Sequence, residues 1–161
     1  MKKLFSVLAV LFVLGTTHAF SVGIGAQFGY TIGGNSGAAL TVKLDNLPPV
    51  FALDLGFGTN YLSFGGTADW WIANPNLAGP INFYYGPGIA ASFVNAGDNY
   101  TALNVGGRLV AGLNFFLVDF FELYLQVAWQ PTFGIVLSGE SSNGGFNFGA
   151  VPVNLGFRFW F

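Results

Sequence analysis

The sequence predicts an all-β protein, a transmembrane antiparallel up-and-down β-barrel of eight strands with a polar lumen. Three observations carry this: an apolar composition without a spanning helix, strict two-residue alternation, and charges confined to one phase of it. Of 161 residues only 7% are charged, while 53% are hydrophobic and 18% aromatic. Soluble domains carry about 25% charged residues, so a water-facing surface built from this chain would be poorly solvated. Aromatic residues favour strands, and 24 glycines argue against helices.

The N-terminus is a separate segment. Met1-Lys2-Lys3 is a basic start, Leu4 to Leu14 an apolar run, and Thr17-His18-Ala19 an end with small residues at the right spacing. This reads as a signal peptide, residues 1–19, with the barrel domain on residues 20–161. An uncleaved anchor is the alternative, disfavoured by the short apolar run. With no cysteine, a lipid-anchored cysteine and a thiolate metal site are both excluded. Cleavage removes Lys2, Lys3 and the only histidine, His18, so the formal charge of −2 becomes −4. A net negative chain with three basic residues is a poor nucleic-acid binder, so no such partner is expected.

No other apolar run approaches the ~20 residues a spanning helix needs. A closed barrel is then the remaining way to pair every backbone group inside a bilayer. The alternation gives eight strands. The first runs from Ser21 to Tyr30, with Val22, Ile24, Ala26, Phe28 and Tyr30 on one face; Gly33 to Gly37 turns the chain. The second covers Leu40 to Asp45, and Asn46 to Pro49 closes it. The third, Phe51 to Gly58, meets the fourth, Leu62 to Ile72, through a turn at Thr59-Asn60. A turn over Asn74 to Pro80 precedes the fifth strand, Ile81 to Phe93. The sixth, Leu103 to Asn114, follows the loop Asn95 to Thr101, and a turn at Val118-Asp119 leads to the seventh, Phe121 to Gln130. After the loop Ser138 to Gly145, the eighth strand runs from Val151 to Phe161.

The charges decide which face is which. Lys43, Asp45, Asp54, Asp69, Arg108, Glu122 and Arg158 all fall opposite the apolar phase. A basic residue facing lipid at mid-depth would cost about 2–4 kcal/mol, so this phase is the lumen. A soluble ligand-carrying barrel would need the reverse arrangement. Trp70, Tyr85, Trp129, Tyr30 and Phe161 are expected on the outside as interface girdles.

Val151 to Phe161 resembles the C-terminal strand of bacterial outer-membrane barrels, with Val153, Leu155, Phe157 and Phe159 alternating before the terminal Phe161. The chain as a whole resembles the small eight-stranded class of the OmpA transmembrane domain, OmpX and OmpW. That resemblance implies a monomer in the lipid bilayer of the outer membrane. It also implies that the C-terminal residues are read by the barrel-assembly machinery.

Candidate chemistry is sparse. Enzymes of the resembled class that use histidine with serine would lack their base, because the mature chain has no histidine. No catalytic residue, cofactor or metal site is expected. Counting about Tyr61 sets Asp54 nearly opposite Asp69, an arrangement that could share a proton. The same counting sets Lys43 diagonal to Asp54, with Arg108 and Arg158 reaching in. An internal salt-bridge cluster is the favoured reading of these groups.

Bulky Trp71, Tyr84, Tyr124 and Trp160 alternate with glycines in the lumen, as interlocked packing or as the walls of a thin channel. Pro131 and Pro152 are expected at one height on the last two strands, with a bulge between Phe148 and Val151. The resemblance to OmpW makes that a candidate lateral seam for small hydrophobic molecules. Three functions therefore compete: a surface or structural barrel with a filled lumen, a narrow or lateral transporter, and a loop-mediated adhesin or host-factor binder. The first leads.

Overall fold

The computed structural model describes residues 21–97, 100–138 and 144–161. The segment predicted as a signal, Asp98, Asn99 (the first residue of an Asn-Tyr-Thr glycosylation sequon) and Glu140 lie outside them. Among the described residues there are eleven strand segments and no helix. They are β1 (Val22–Thr31), β2 (Ser36–Leu44), β3 (Pro49–Gly58), β4 (Tyr61–Trp70), β5 (Asn76–Ala78), β6 (Ile81–Ala96), β7 (Tyr100–Val118), β8 (Phe121–Trp129), β9 (Thr132–Ser138), β10 (Gly145–Asn147) and β11 (Pro152–Trp160).

These segments build eight barrel strands, all antiparallel. The ring runs β1-β2-β3-β4-β6-β7-β8-β11 and closes by pairing β11 with β1, from Gly23↔Trp160 to Thr31↔Pro152. β8 and β9 lie end to end along β7, and β10 and β11 together complete the last strand. β5 is a short addition to β6 inside the predicted Asn74–Pro80 turn. β7 is longer than expected because β8 and β9 together pair along it over most of its length.

Closure explains the composition. Each strand in the wall has a neighbour on both sides, so no long edge is left for water or another chain. The outer wall is a continuous apolar surface: Leu40, Leu53, Leu55, Phe64, Ile89 and Leu155 each leave more than half of their area uncovered. Trp70, Tyr85, Trp129, Tyr30 and Phe161 are exposed on it too. The buried side chains include Gln27, Asp69, Arg108, Glu122, Gln126 and Arg158, so the interior is the polar side. An apolar surface this extensive needs an apolar surrounding.

The turns form where the residues allow. Thr59-Asn60 joins β3 to β4, with Asn60 at φ 53°, a left-handed conformation that asparagine tolerates better than most residues. In the β1–β2 turn Gly33 takes φ 72°.

Register corrects three expectations. The β3–β4 hairpin turns about Thr59-Asn60, so Asp54 pairs with Gly65 while Asp69 pairs with Val50, four residues further along the strand. The two carboxylates are therefore not opposite one another. Lys43 likewise pairs with Val50, whereas Asp54 pairs with Ala39, so Lys43 is not the diagonal neighbour of Asp54. Asp45 lies beyond the end of β2, exposed at the rim, where its N–H donates to the Ser21 carbonyl at 3.0 Å. It is not a lumen residue, because the strand alternation ends before it.

Candidate functional site: the lumen

The perpendicular rows of the barrel organise its interior. Across one row Asp69 pairs with Gly88 and Gly88 with Arg108. The Arg108 guanidinium passes over the glycine to donate from Nε to Asp69 Oδ1 at 2.9 Å and from Nη2 to Oδ2 at 3.3 Å. A Cβ on Gly88 would lie 2.1 Å from Asp69 Oδ1, so only glycine admits this bridge.

The pattern repeats lower in the barrel. Tyr84, Gly112 and Gln126 share a row, and the Tyr84 hydroxyl crosses Gly112 to donate to Gln126 Oε1 at 3.1 Å. Tyr124, Gly156 and Gln27 share another, where the Tyr124 hydroxyl donates to Gln27 Oε1 at 3.0 Å. Cβ atoms on Gly112 and Gly156 would stand 2.4 and 2.3 Å from the respective Tyr Cζ. Glycines beside bulky residues are thus the clearances over which long side chains reach the second strand along. Interlocked packing, not an open channel, is what these glycines serve in this half.

One face of the plug is ionic. Arg158 pairs with Glu122 across β11 and β8, its Nη1 donating to Glu122 Oε2 at 3.1 Å. Glu122 also accepts from Asn114 Nδ2 and from Trp160 Nε1, both at 2.9 Å. The guanidinium lies 4.0 Å from the Tyr124 ring centroid, and Trp71 stacks on Tyr84 at 3.7 Å. Lys43 sits over the Trp71 and Trp160 rings, at 5.3 and 5.6 Å, where an ammonium is attracted to the aromatic face. Tyr84, Tyr124, Glu122 and Arg158 are at most 1% exposed.

Above this plug the lumen opens. A cavity of about 460 Å³ extends towards the β1–β2 and β3–β4 turns, with Gln27, Asp54, Arg108 and Gln130 among its lining. Its walls are short side chains, including Ala39, Ser63, Gly65, Ala90 and Ser92, with Tyr61 and Tyr100 higher up. Arg108 Nη1 donates to Gln130, which ties the break between β8 and β9 to the ion pair with Asp69.

Six of the seven charges placed inside by alternation therefore lie in the lumen, and two ion pairs organise four of them. Gln27, Gln126, Gln130 and Asn114 also fall on the phase opposite the apolar residues, but alternation alone gives them no partners. Their partners lie on strands that only closure brings near.

Pro131 and Pro152 do not share a height. Pro152 pairs with Thr31, and continuing the β8–β11 register by one step sets it beside Ala128, three residues below Pro131. The reason is the register of the last hairpin. Gly145 pairs with Gly134 and Asn147 with Thr132, which alone would set Pro152 opposite Val127. One extra residue in the last strand before Val153↔Val127, a bulge in the interval that contains the predicted stretch, brings it one position closer. Two hydrogen bonds span this interruption: Gln130 N–H to the Ala150 carbonyl at 2.9 Å, and Trp129 Nε1 to the Phe148 carbonyl at 2.8 Å. Val153, Leu155, Phe157, Phe159 and Phe161 follow the outward alternation of the last strand, with Phe121 packed on Phe157 and Phe159. Among the described residues no group of three His, Cys, Asp or Glu side chains could hold a metal ion.

No protein family matches the chain, and no curated protein matches it. Among solved structures it is similar to Neisserial surface protein A, at 13% identity and a TM-score of 0.48, over 88% of this chain and 97% of that one. It is also similar to a major outer membrane protein from Thermus thermophilus, at 15% identity and a TM-score of 0.44, over 89% and 100%. A third similar structure is the KdgM porin, at 8% identity and a TM-score of 0.30, over 86% and 99%.

Proposed function

We propose that this chain is an outer-membrane surface barrel, exported with residues 1–19 as a cleaved signal, that seals its own lumen and performs no catalysis. The observation that carries the reading is the plug of Tyr84, Tyr124, Glu122 and Arg158, whose side chains leave essentially no accessible surface. Eight strands enclose room for side chains or one small ligand, and here the lower half is given to side chains. The apolar outer wall supports a bilayer as its surroundings, and closure needs no second copy, which supports a monomer. The terminal strand from Val153 to Phe161 supports recognition by the barrel-assembly machinery.

The cup wall near the interruption carries Gln130, Thr132 and Asn147. A hydrophobic molecule leaving sideways would have to displace these polar groups and the two hydrogen bonds beside them. This favours a closed wall over a lateral route through Pro131 and Pro152. With the N-terminus in the periplasm the connections at the cup end face outward, and they are short in sequence, which gives adhesion little support.

Planar-bilayer recording tests the reading. The refolded barrel is expected to show no stable single-channel steps, and Tyr84→Ala combined with Tyr124→Ala to produce them. Stable steps from the unaltered protein would overturn the sealed lumen. Recovery of folded protein from the periplasm without detergent would overturn the membrane assignment instead.

A further inference from the structure

One row of the upper lumen is nearly bare. Asn154, Gly29, Gly37, Gly56 and Ser63 pair in turn across β11, β1, β2, β3 and β4. Three adjacent strands therefore show only backbone to the cup, over about 10 Å at the usual strand spacing. The two flanking side chains lean in over this floor from either end. A Cβ on Gly29 would lie 2.0 Å from Asn154 Oδ1, and one on Gly56 would lie 2.3 Å from Ser63 Oγ. Over Gly37, between them, nothing leans: the three atoms nearest to its ideal Cβ all belong to the backbone of β3.

Neither flanking group is spent elsewhere. In the lower half the side chains that cross a glycine end on a partner, as Tyr84 does on Gln126 and Tyr124 on Gln27. Asn154 and Ser63 have no side-chain hydrogen-bond partner among the described residues. Asn154 is only 7% exposed, and that remainder opens on the cup. Its amide atoms are not sealed in the wall, unlike Asp54 Oδ2. A buried amide held over a glycine without a partner is an unfilled hydrogen-bonding site. The ring of Tyr61 stands beside Ser63, its Cε1 3.3 Å from the ideal Cβ of Gly56.

The chemistry of the recess selects its occupant. Glycine allows a ligand to lie close against backbone. An amide and a hydroxyl each donate and accept, as every sugar hydroxyl does. The aromatic face of Tyr61 suits the C–H face of a pyranose, because a π-system attracts the positive hydrogens. The charged groups below are already engaged: Arg108 is held by Asp69 and Gln130, and Gln27 hydrogen-bonds Asp54. The cavity of about 460 Å³ admits one small ligand.

We propose that the recess binds a neutral hexose, its ring against Gly29, Gly37 and Gly56, its hydroxyls bonded to Asn154 and Ser63, and a C–H face towards Tyr61. The site does not depend on the seal below it, so conductance decides the plug and titration decides the site.

The test is NMR titration of the refolded full barrel in a zwitterionic detergent without a sugar headgroup. Glucose, galactose, mannose and N-acetylglucosamine are added in separate titrations. At least one of the four is expected to bind saturably and to shift the amides of Gly29, Gly37 and Gly56. Cyclohexanol, a six-membered ring with one hydroxyl, is expected to leave them unmoved. Asn154→Ala and Ser63→Ala should each weaken binding of that sugar at least fivefold, with heat-modifiable gel migration verifying that both are folded. Absence of saturable shifts with all four, equal shifts with cyclohexanol, or unchanged affinity in either folded variant would overturn the proposal.

Discussion

The two halves of the lumen are enclosed by the same strands, yet one is solid and the other hollow. In the lower half the rows carry Tyr84, Tyr124, Glu122 and Arg158, each reaching a partner on another strand. In the upper half many equivalent positions carry Ala39, Ser63, Gly65, Ala90 and Ser92, and only at its floor do Gln27 and Arg108 reach across, to Asp54 and Asp69. Barrel diameter is set by strand number and shear, so it cannot account for this contrast. Side-chain length can. A barrel of this size is sealed or hollow row by row, according to whether its inner phase carries long polar side chains beside glycines.

That comparison is broken most severely through the buried ion pair. Arg158→Met leaves Glu122 charged and buried without its counterion, and is expected to destabilise the barrel by about 3–5 kcal/mol. Urea unfolding in detergent measures this, and adding Glu122→Gln should recover a large part of the loss. Recovery would show that the isolated charge, rather than lost packing, dominates.

A smaller effect is expected from filling a clearance. Gly156→Val sets a side chain against Tyr124, whose ring already lies 2.3 Å from an ideal Cβ there. Overpacking of this kind costs about 1–3 kcal/mol, and the same urea titration should register it. Tyr124→Phe keeps the ring and removes the hydroxyl that donates to Gln27, for a loss of about 1 kcal/mol. Ser92→Ala in the hollow half should shift stability by no more than about 0.5 kcal/mol, because no long side chain rests on it. A Ser92→Ala loss as large as that of Gly156→Val would sink the distinction between the halves.

Inside and outside were legible because strand alternation has a period of two and does not depend on pairing partners. Leu53 and Leu55 point outward and Asp54 inward whichever strands lie alongside. The bulge between Asn147 and Val153 was legible for the same reason, as a break in phase. The relations between Asp54, Asp69 and Lys43 were not. A hairpin centre displaced by two residues shifts its pairing by four, which separated Asp54 from Asp69 and left Asp54 between Ala39 and Gly65.

By itself, then, the sequence determined that this chain forms an antiparallel barrel with its charges inside, since local alternation and the cost of exposing charge to lipid suffice for that. Which charges meet was decided only by the tertiary structure. Asp69 finds Arg108 two strands away across Gly88, and Arg158 finds Glu122 beside it, because closure and register set the heights of distant residues. The same geometry left Asp54 with a carboxylate oxygen buried and unpaired beside an open cup.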